Sequence, residues 1–367
     1  MSYPTWRELQ DSYWIRGKRF PQIADETPTF MGCPHATTPA DLVGVDAAII
    51  GSPYVTSWGD EWAGVSKAEW LAAPKRVRQQ SIRYASGYIQ DLDLDVFEHL
   101  NLVDFGDADI PPEANSSQTI DMIRRAQAAV EDKVNAVLDA GAIPIVIGQN
   151  SPCASYAIAR CVAGHSTGPV GVVSLDAHWD AELIDRMTMN PEIGGPANWF
   201  RKTLDLDRVA PANVIEIGPR GMMEDKLGIR ELRARGVHFF SSWDVRRIGI
   251  EKLCASLDPA YEGTERVYAH YDMDVIGGAG PSPGDILGEL AEPIGLSDYE
   301  VIRIAHELGL RGIDGFSFIC IPPGSAVQYR VIVYIIMYLL AGVAIANQVK
   351  TEPAQHTRVL TDGARKL

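Results

Sequence analysis

The segment Ser174-Leu175-Asp176-Ala177-His178-Trp179-Asp180 spaces three ionisable side chains two residues apart. In an extended chain such residues point the same way, so Asp176, His178 and Asp180 would converge on one cavity. Two carboxylates and an imidazole are hard and borderline donors suited to Mn2+, Ni2+, Zn2+ or Fe2+. Taken alone, the segment reads equally well as an Asp-rich turn capping a helix. A second segment, His270-Tyr271-Asp272-Met273-Asp274, repeats the spacing. It follows the apolar run Val267-Tyr268-Ala269, which would set Asp272 and Asp274 where charge is costly without a cation. Two such clusters at the ends of different strands favour metal binding over the capping turn. The candidate metal ligands are therefore Asp176, His178, Asp180, Asp272 and Asp274.

Elements must hold these clusters, and the sequence pattern supplies them. Short apolar runs alternate with longer helical periodicities, as in a parallel sheet covered on both faces. The expected strands are Ala47–Gly51, Leu102–Phe105, Ile143–Gly148, Gly171–Leu175, Asn213–Ile217, Val237–Phe240, Val267–Tyr271 and Gly312–Phe316. The expected helices include Ile120–Asp139, Cys153–Val162, Met222–Arg235, Val245–Ala255, Ser297–Leu308 and Val327–Ala346. In an open parallel sheet ligands bind beyond the carboxyl ends of the strands, which is where both clusters fall. Residues 41–350 are expected to form one α/β domain, preceded by an irregular arm over 1–40 and followed by a tail over 351–367.

Composition narrows the function. Hydrophobic residues are 46% of the 367, enough for a large core. A net charge of −15 argues against a phosphate-binding surface, so nucleic acid is not an expected partner. The five cysteines are odd in number and lack CxxC spacing, which suits reduced thiols in a cytoplasmic protein. The opening residues lack an apolar signal core. The longest apolar run, Val331–Ala346, is 16 residues against the ~20 that a span needs, so it is read as a buried helix and no membrane is expected. Cys153, near a helix start, reads as a buried structural thiol rather than a nucleophile, because no flanking motif positions a histidine. Trp58 and Trp62 are candidates to line a pocket for an alkylated cation, or simply to pack on the surface.

Asp176-Ala177-His178-Trp179-Asp180 resembles the Asp-Ala-His-x-Asp motif of the ureohydrolases (arginases, agmatinases, guanidinases), and His270–Asp274 resembles their Ser-x-Asp-x-Asp motif. Ile49-Ile50-Gly51-Ser52-Pro53, Pro74 with Val77-Arg78, Phe105-Gly106-Asp107 and Ile217-Gly218-Pro219-Arg220 are similar to further elements of that family. The resemblance implies a three-layer α/β/α fold, arginase- and deacetylase-like, with a mainly parallel sheet of about eight strands. It implies two divalent ions that share carboxylates and activate the water attacking a guanidinium carbon. One ion would take Asp176, His178, Asp272 and Asp274. The other would take Asp176, Asp180, Asp272 and a histidine.

That histidine is missing. Ile147-Gly148-Gln149-Asn150-Ser151 stands in the place of Gly-Gly-Asp-His-Ser, so Asn150 replaces the ligand and Gln149 the adjacent acid. Ser317 stands where the family's substrate-facing Glu is expected, Ile193–Trp199 lacks the proton-shuttling histidine, and Gly277-Gly278 replaces Asp-Pro. His270 is a possible compensating ligand, weighed against a histidine held only by structural hydrogen bonds. The expectation is a degenerate site with unknown catalytic residues, holding Ni2+ or Mn2+ at about one ion per chain or fewer. Three roles stay open. The chain is an accessory subunit of a hexamer-like hetero-oligomer, whose homologous partner has intact ligands and hydrolyses a small cationic guanidino or biguanide substrate. Or it is a self-sufficient one-metal or altered two-metal C–N hydrolase of a substituted guanidine. Or it is a non-catalytic protein that binds a small cation.

Overall fold

A computed structural model describes residues 20–24, 26–55, 61–62, 65–84, 86–117, 119–184, 190, 193–277, 292–324 and 326–351. Trp58, the Trp62 side chain, Gly278 and the tail beyond 351 lie outside the described residues, as do residues 1–19 of the expected arm.

Eight strands form one sheet: β1 (Ala47–Ser52), β2 (Leu102–Asp107), β3 (Ile143–Gly148), β4 (Val170–Leu175), β5 (Val214–Gly218), β6 (His238–Ser241), β7 (Arg266–Asp272) and β8 (Gly315–Ile319). Their order is β6-β5-β4-β7-β8-β3-β1-β2. Every neighbouring pair is parallel, so the sheet is wholly rather than mainly parallel. Most strands are continuous buried apolar runs, as a sheet covered on both faces requires. One apolar cluster on each face of the sheet completes the three layers.

The helices that bear on the site are α1 (Ala73–Ser81), α2 (Ile120–Asp139), α3 (Ala157–Gly164), α4 (Trp199–Leu204), α5 (Lys226–Ala234), α6 (Ser242–Ile248), α7 (Ile250–Ala255), α8 (Asp298–Arg311) and α9 (Ala326–Thr351). The expected helix over 245–255 is two, because Gly249 takes a φ of 82° between α6 and α7. The expected strand over 312–316 begins three residues later. Gly312 (φ 101°) closes α8, and the Asp314 carboxylate accepts from Val267 N at 2.9 Å before the strand begins. Three short α-helices were not expected, Lys67–Leu71, α1 and α4, each with too few turns to show a period.

The apolar run near the C-terminus belongs to a longer helix than expected, 26 residues. By length and composition it is apolar enough to cross a membrane, yet 67% of its most apolar window is buried inside the fold. It packs on α8 and α1.

The expected boundary at residue 40 is not a packing boundary. Phe30 is fully buried, its N–H donates to Asp104 Oδ2 at 2.9 Å, and Met31 N–H donates to Ser81 Oγ at 2.7 Å. The described part of the arm therefore packs on its own subunit. Arg78 and Asp107, read separately from sequence, meet in one cluster. The Arg78 guanidinium is wholly buried and donates to Asp104 (2.7 and 2.9 Å) and Asp107 (2.6 Å), which supplies the charge that burial demands.

Candidate metal centre

Asp176 directly follows β4, and Asp272 ends β7, its neighbour in the sheet. Asp176 is 2% exposed, Asp272 3% and Asp274 1%; His178 is buried and Asp180 partly so. Local hydrogen bonds fix the tips. His178 N–H donates to Asp176 Oδ1 (2.7 Å), Asp274 N–H to Asp272 Oδ1 (2.9 Å), and Ala177 N–H reaches across to Asp274 Oδ1 (3.0 Å). Gly218, at the tip of β5, has a φ of 106°, and a Cβ there would lie 2.7 Å from the Asp176 carbonyl oxygen. Only glycine allows that approach.

Two sets of ligand atoms gather within 4.8 Å of one another: Asp176, His178 and Asp274, and Asp176, Asp180 and Asp272. Asp176 belongs to both. All five expected ligands are thus brought together, in two groups that share a carboxylate. Among the described residues His270 enters no such group.

Electrostatics shows what the cluster needs. Burial pushes Asp176 well above the usual carboxylate range, and the charges of Asp272 and Asp274 push it further. Asp272 is raised by burial and by Asp274, and Asp180 by burial despite His178. Burial would also raise Asp274, but His178, 3.2 Å away, outweighs it and holds Asp274 below its ordinary value. Burial would lower His178, and Asp274 overrides it to bring the imidazole to about 9. Four carboxylates around one imidazole would leave a net negative pocket once ionised, and a divalent ion compensates that charge. The His178 Nε2 atom is buried without a hydrogen-bond partner, while Nδ1 lies 3.2 Å from Asp274 Oδ2. Carboxylates and an imidazole are donors for such an ion, and the residues fit it.

Asn150 is buried at the tip of β3. Its neighbour Gln149 ties β3 to the chain beyond β8: its amide donates to Ile321 O (2.6 Å) and Trp70 O (3.0 Å), and its carbonyl accepts from Ile321 N (2.6 Å). An acid here would face two carbonyl oxygens, which explains an amide. Gln149→Ala is expected to lower the unfolding free energy by roughly 3 kcal/mol, since three buried partners lose their bonds. A denaturant midpoint unchanged from wild type would show that they do not contribute.

The segment lacking the family's histidine supplies an indole. Trp199 Nε1 donates to Asp180 Oδ2 at 3.0 Å, and its ring lies 4.3 Å from that of His270. His270 is wholly buried, with Nδ1 3.2 Å from Ser317 Oγ. Ser317 lies mid-strand in β8, beneath the tips, and its hydroxyl is 2.6 Å from that of Tyr268. Cys153 is wholly buried, and burial holds its thiol well above the ordinary value. Sequence reasoning missed Glu216, which is wholly buried in β5 beside Ser174 of β4. A lone acid inside the apolar run Val214–Gly218 was the available signal.

The model of the arginase family matches residues 45–339. The chain is 28% identical over 320 residues to the proclavaminate amidinohydrolase of Streptomyces clavuligerus, covering 80% of this chain and 90% of that protein. It is 25% identical over 287 residues to the guanidinobutyrase of Pseudomonas aeruginosa, covering 78% and 82%. Among solved structures, the Streptomyces clavuligerus proclavaminate amidino hydrolase superposes with a TM-score of 0.69 at 24% identity, covering 87% of this chain and 97% of that one. A Trypanosoma cruzi formiminoglutamase solved with Mn2+ gives 0.66 at 22% identity, covering 87% and 99%.

Proposed function

The chain belongs to the arginase family, and from that premise we propose that it is a component of a metal-dependent hydrolase that cleaves a C–N bond of a guanidino or biguanide compound. The observation that carries this is the pair of ligand groups sharing Asp176. When bound, divalent ions supply Lewis acidity and a nucleophile at neutral pH. The protein's own part is geometric: backbone N–H groups of His178, Asp274 and Ala177 orient the carboxylates, and the Trp199 indole orients Asp180. The relatives named above act by name on amidino, guanidino or formimino compounds, which supports the substrate class. The Trypanosoma cruzi neighbour solved with Mn2+ supports Mn2+, and the donor set suits Ni2+ as well.

Within that class, we assign this chain an accessory role in a hexamer-like hetero-oligomer with a homologous subunit that keeps the ligand histidine. Asn150, the buried Ser317 and the absence of histidine from 193–199 support this reading. The substrate it fits by resemblance is dimethylbiguanide (metformin), hydrolysed to guanylurea and dimethylamine. The intact Asp176, His178, Asp274 group supports a second reading, a self-sufficient one-metal hydrolase. Isolation of the native, untagged assembly decides between them. A co-purifying homologue, with no hydrolysis by this chain alone, is the expected result; turnover by the pure chain discards the accessory role.

Asn150→His should raise metal content by up to one equivalent per chain, measured by mass spectrometry of the dialysed protein, because imidazole replaces a neutral amide at the position that the family resemblance assigns to the second group. Unchanged occupancy would show that Asn150 does not face the second group.

A further inference from the structure

Two residues below the ligand-bearing tips, a second polar row crosses the same face of the sheet. Glu216, Ser174, His270 and Ser317 are successive Cα partners across β5, β4, β7 and β8, flanked by Phe239 and Val146. All four polar residues are 0% exposed.

One end of the row has a fixed polarity. The Tyr268 hydroxyl donates to Ser155 O at 3.1 Å, a carbonyl that can only accept. Having spent its proton there, Tyr268 must accept from Ser317 Oγ at 2.6 Å. Ser317, its proton likewise spent, must accept from His270 Nδ1 at 3.2 Å. His270 therefore carries its hydrogen on Nδ1, which leaves Nε2 a bare acceptor. Nε2 has no partner, and the Ser174 hydroxyl is the hydrogen-bonding group that bears on Glu216, without a close contact between them.

A donor is needed on the Glu216 side. Ser174 has a single proton. If it goes to an ionised Glu216, His270 Nε2 stays unsatisfied; if it goes to His270, Ser174 must in turn accept. The ionised form also lacks a counter-charge: the charges that bear most on Glu216 are those of Asp180, Glu224 and Asp272, all acids. A lone buried carboxylate is far costlier than a neutral acid whose O–H is used. Strands lie about 4.8 Å apart, and Ser174 is the small side chain between two longer ones, so a bridging water there would meet polar partners on both sides.

We propose that Glu216 is a neutral carboxylic acid and a positioning residue for the metal centre: its O–H donates toward Ser174, Ser174 toward His270 Nε2, directly or through one internal water, and the chain ends at Ser155 O. The row thereby locks β4 and β7, whose next residues on this face are Asp176 and Asp272. The structural half of the proposal is independent of the reading of the function, and only the metal-affinity test below rests on it.

Infrared spectroscopy of protein carrying 13C-carboxyl glutamate, stripped of metal by chelation at neutral pH, tests it. The expected result is an isotope-shifted C=O stretch of a protonated carboxyl, absent from Glu216→Gln; a labelled spectrum holding only carboxylate bands overturns the proposal. Wild type alone suffices for that measurement should the variant misfold. In metal titrations Glu216→Gln, which keeps a neutral donor, should bind within about threefold of wild type, and Glu216→Leu about 10–100-fold more weakly. A Gln variant as weak as the Leu variant sinks the neutral-donor role. Failure of wild type itself to bind metal strikes the centre and leaves the infrared result standing.

Discussion

Asp176→Asn should strip the centre of metal while making the metal-free protein harder to unfold. Asp176 lies in both ligand groups, so its loss removes a charged donor from each. Losing a supporting partner alone costs about 10–100-fold in metal affinity; loss of a shared ligand should exceed 100-fold. The fold itself tolerates the change. The amide oxygen still accepts from His178 N–H, as the carboxylate does at 2.7 Å. Without metal, the substitution removes one of four crowded buried acids, and the apo protein should gain on the order of 1–2 kcal/mol. The paired measurement is metal content after dialysis and the apo melting temperature. A variant that keeps its metal refutes the centre; one that loses both metal and apo stability shows that Asp176 is held by something other than an ion.

The second large effect is on pH. In the chelated protein the Asp176, Asp180, Asp272 and Glu216 carboxyls sit above their unfolded values. A group whose folded pKa is raised contributes stability below its unfolded pKa, about 4 here, and loses it as pH rises through the folded value. His178, raised to about 9, acts in the same direction at higher pH. Asp274 is lowered and acts oppositely, but only below pH ~4. The apo protein should therefore melt at steadily lower temperature from pH ~5 to ~9. Metal binding needs deprotonated ligands, so added ion stabilises most at the alkaline end. Free ion at a thousand times its Kd is worth about 4 kcal/mol, on the order of 5 °C for a chain of this size. Apo and metal-loaded melting curves that run parallel across pH would falsify the ion-compensated cluster.

The ligands were legible because strand tips impose a period of two, and two acidic tips survive in the sequence as alternating residues. The parallel sheet was legible from unbroken apolar runs such as Ile143–Gly148. What escaped depends on register between distant strands. Glu216 matters because β5 sets it beside Ser174, and Ser174 beside His270; nothing in 214–218 announces those neighbours. Gln149 looked like a lost acid, but its partners Trp70 and Ile321 are 79 and 172 residues away. Trp199 took its meaning from Asp180 only once α4 was placed. The shifted start of β8 was hidden for a local reason, since the turn that delays it uses Asp314 to cap β7.

The strand order bears on biosynthesis. The first three strands form one flank of the sheet and the next three the other; β7 and β8 are inserted between them. A nascent chain that has emerged only as far as β6 thus carries two half-sheets whose inner edges, β3 and β4, are bare and apolar, the kind of edge that recruits other chains. Release or cleavage anywhere before residue 319 leaves the halves unjoined. Cellular yield of this protein should accordingly depend on ribosome-associated chaperones until the last two strands arrive.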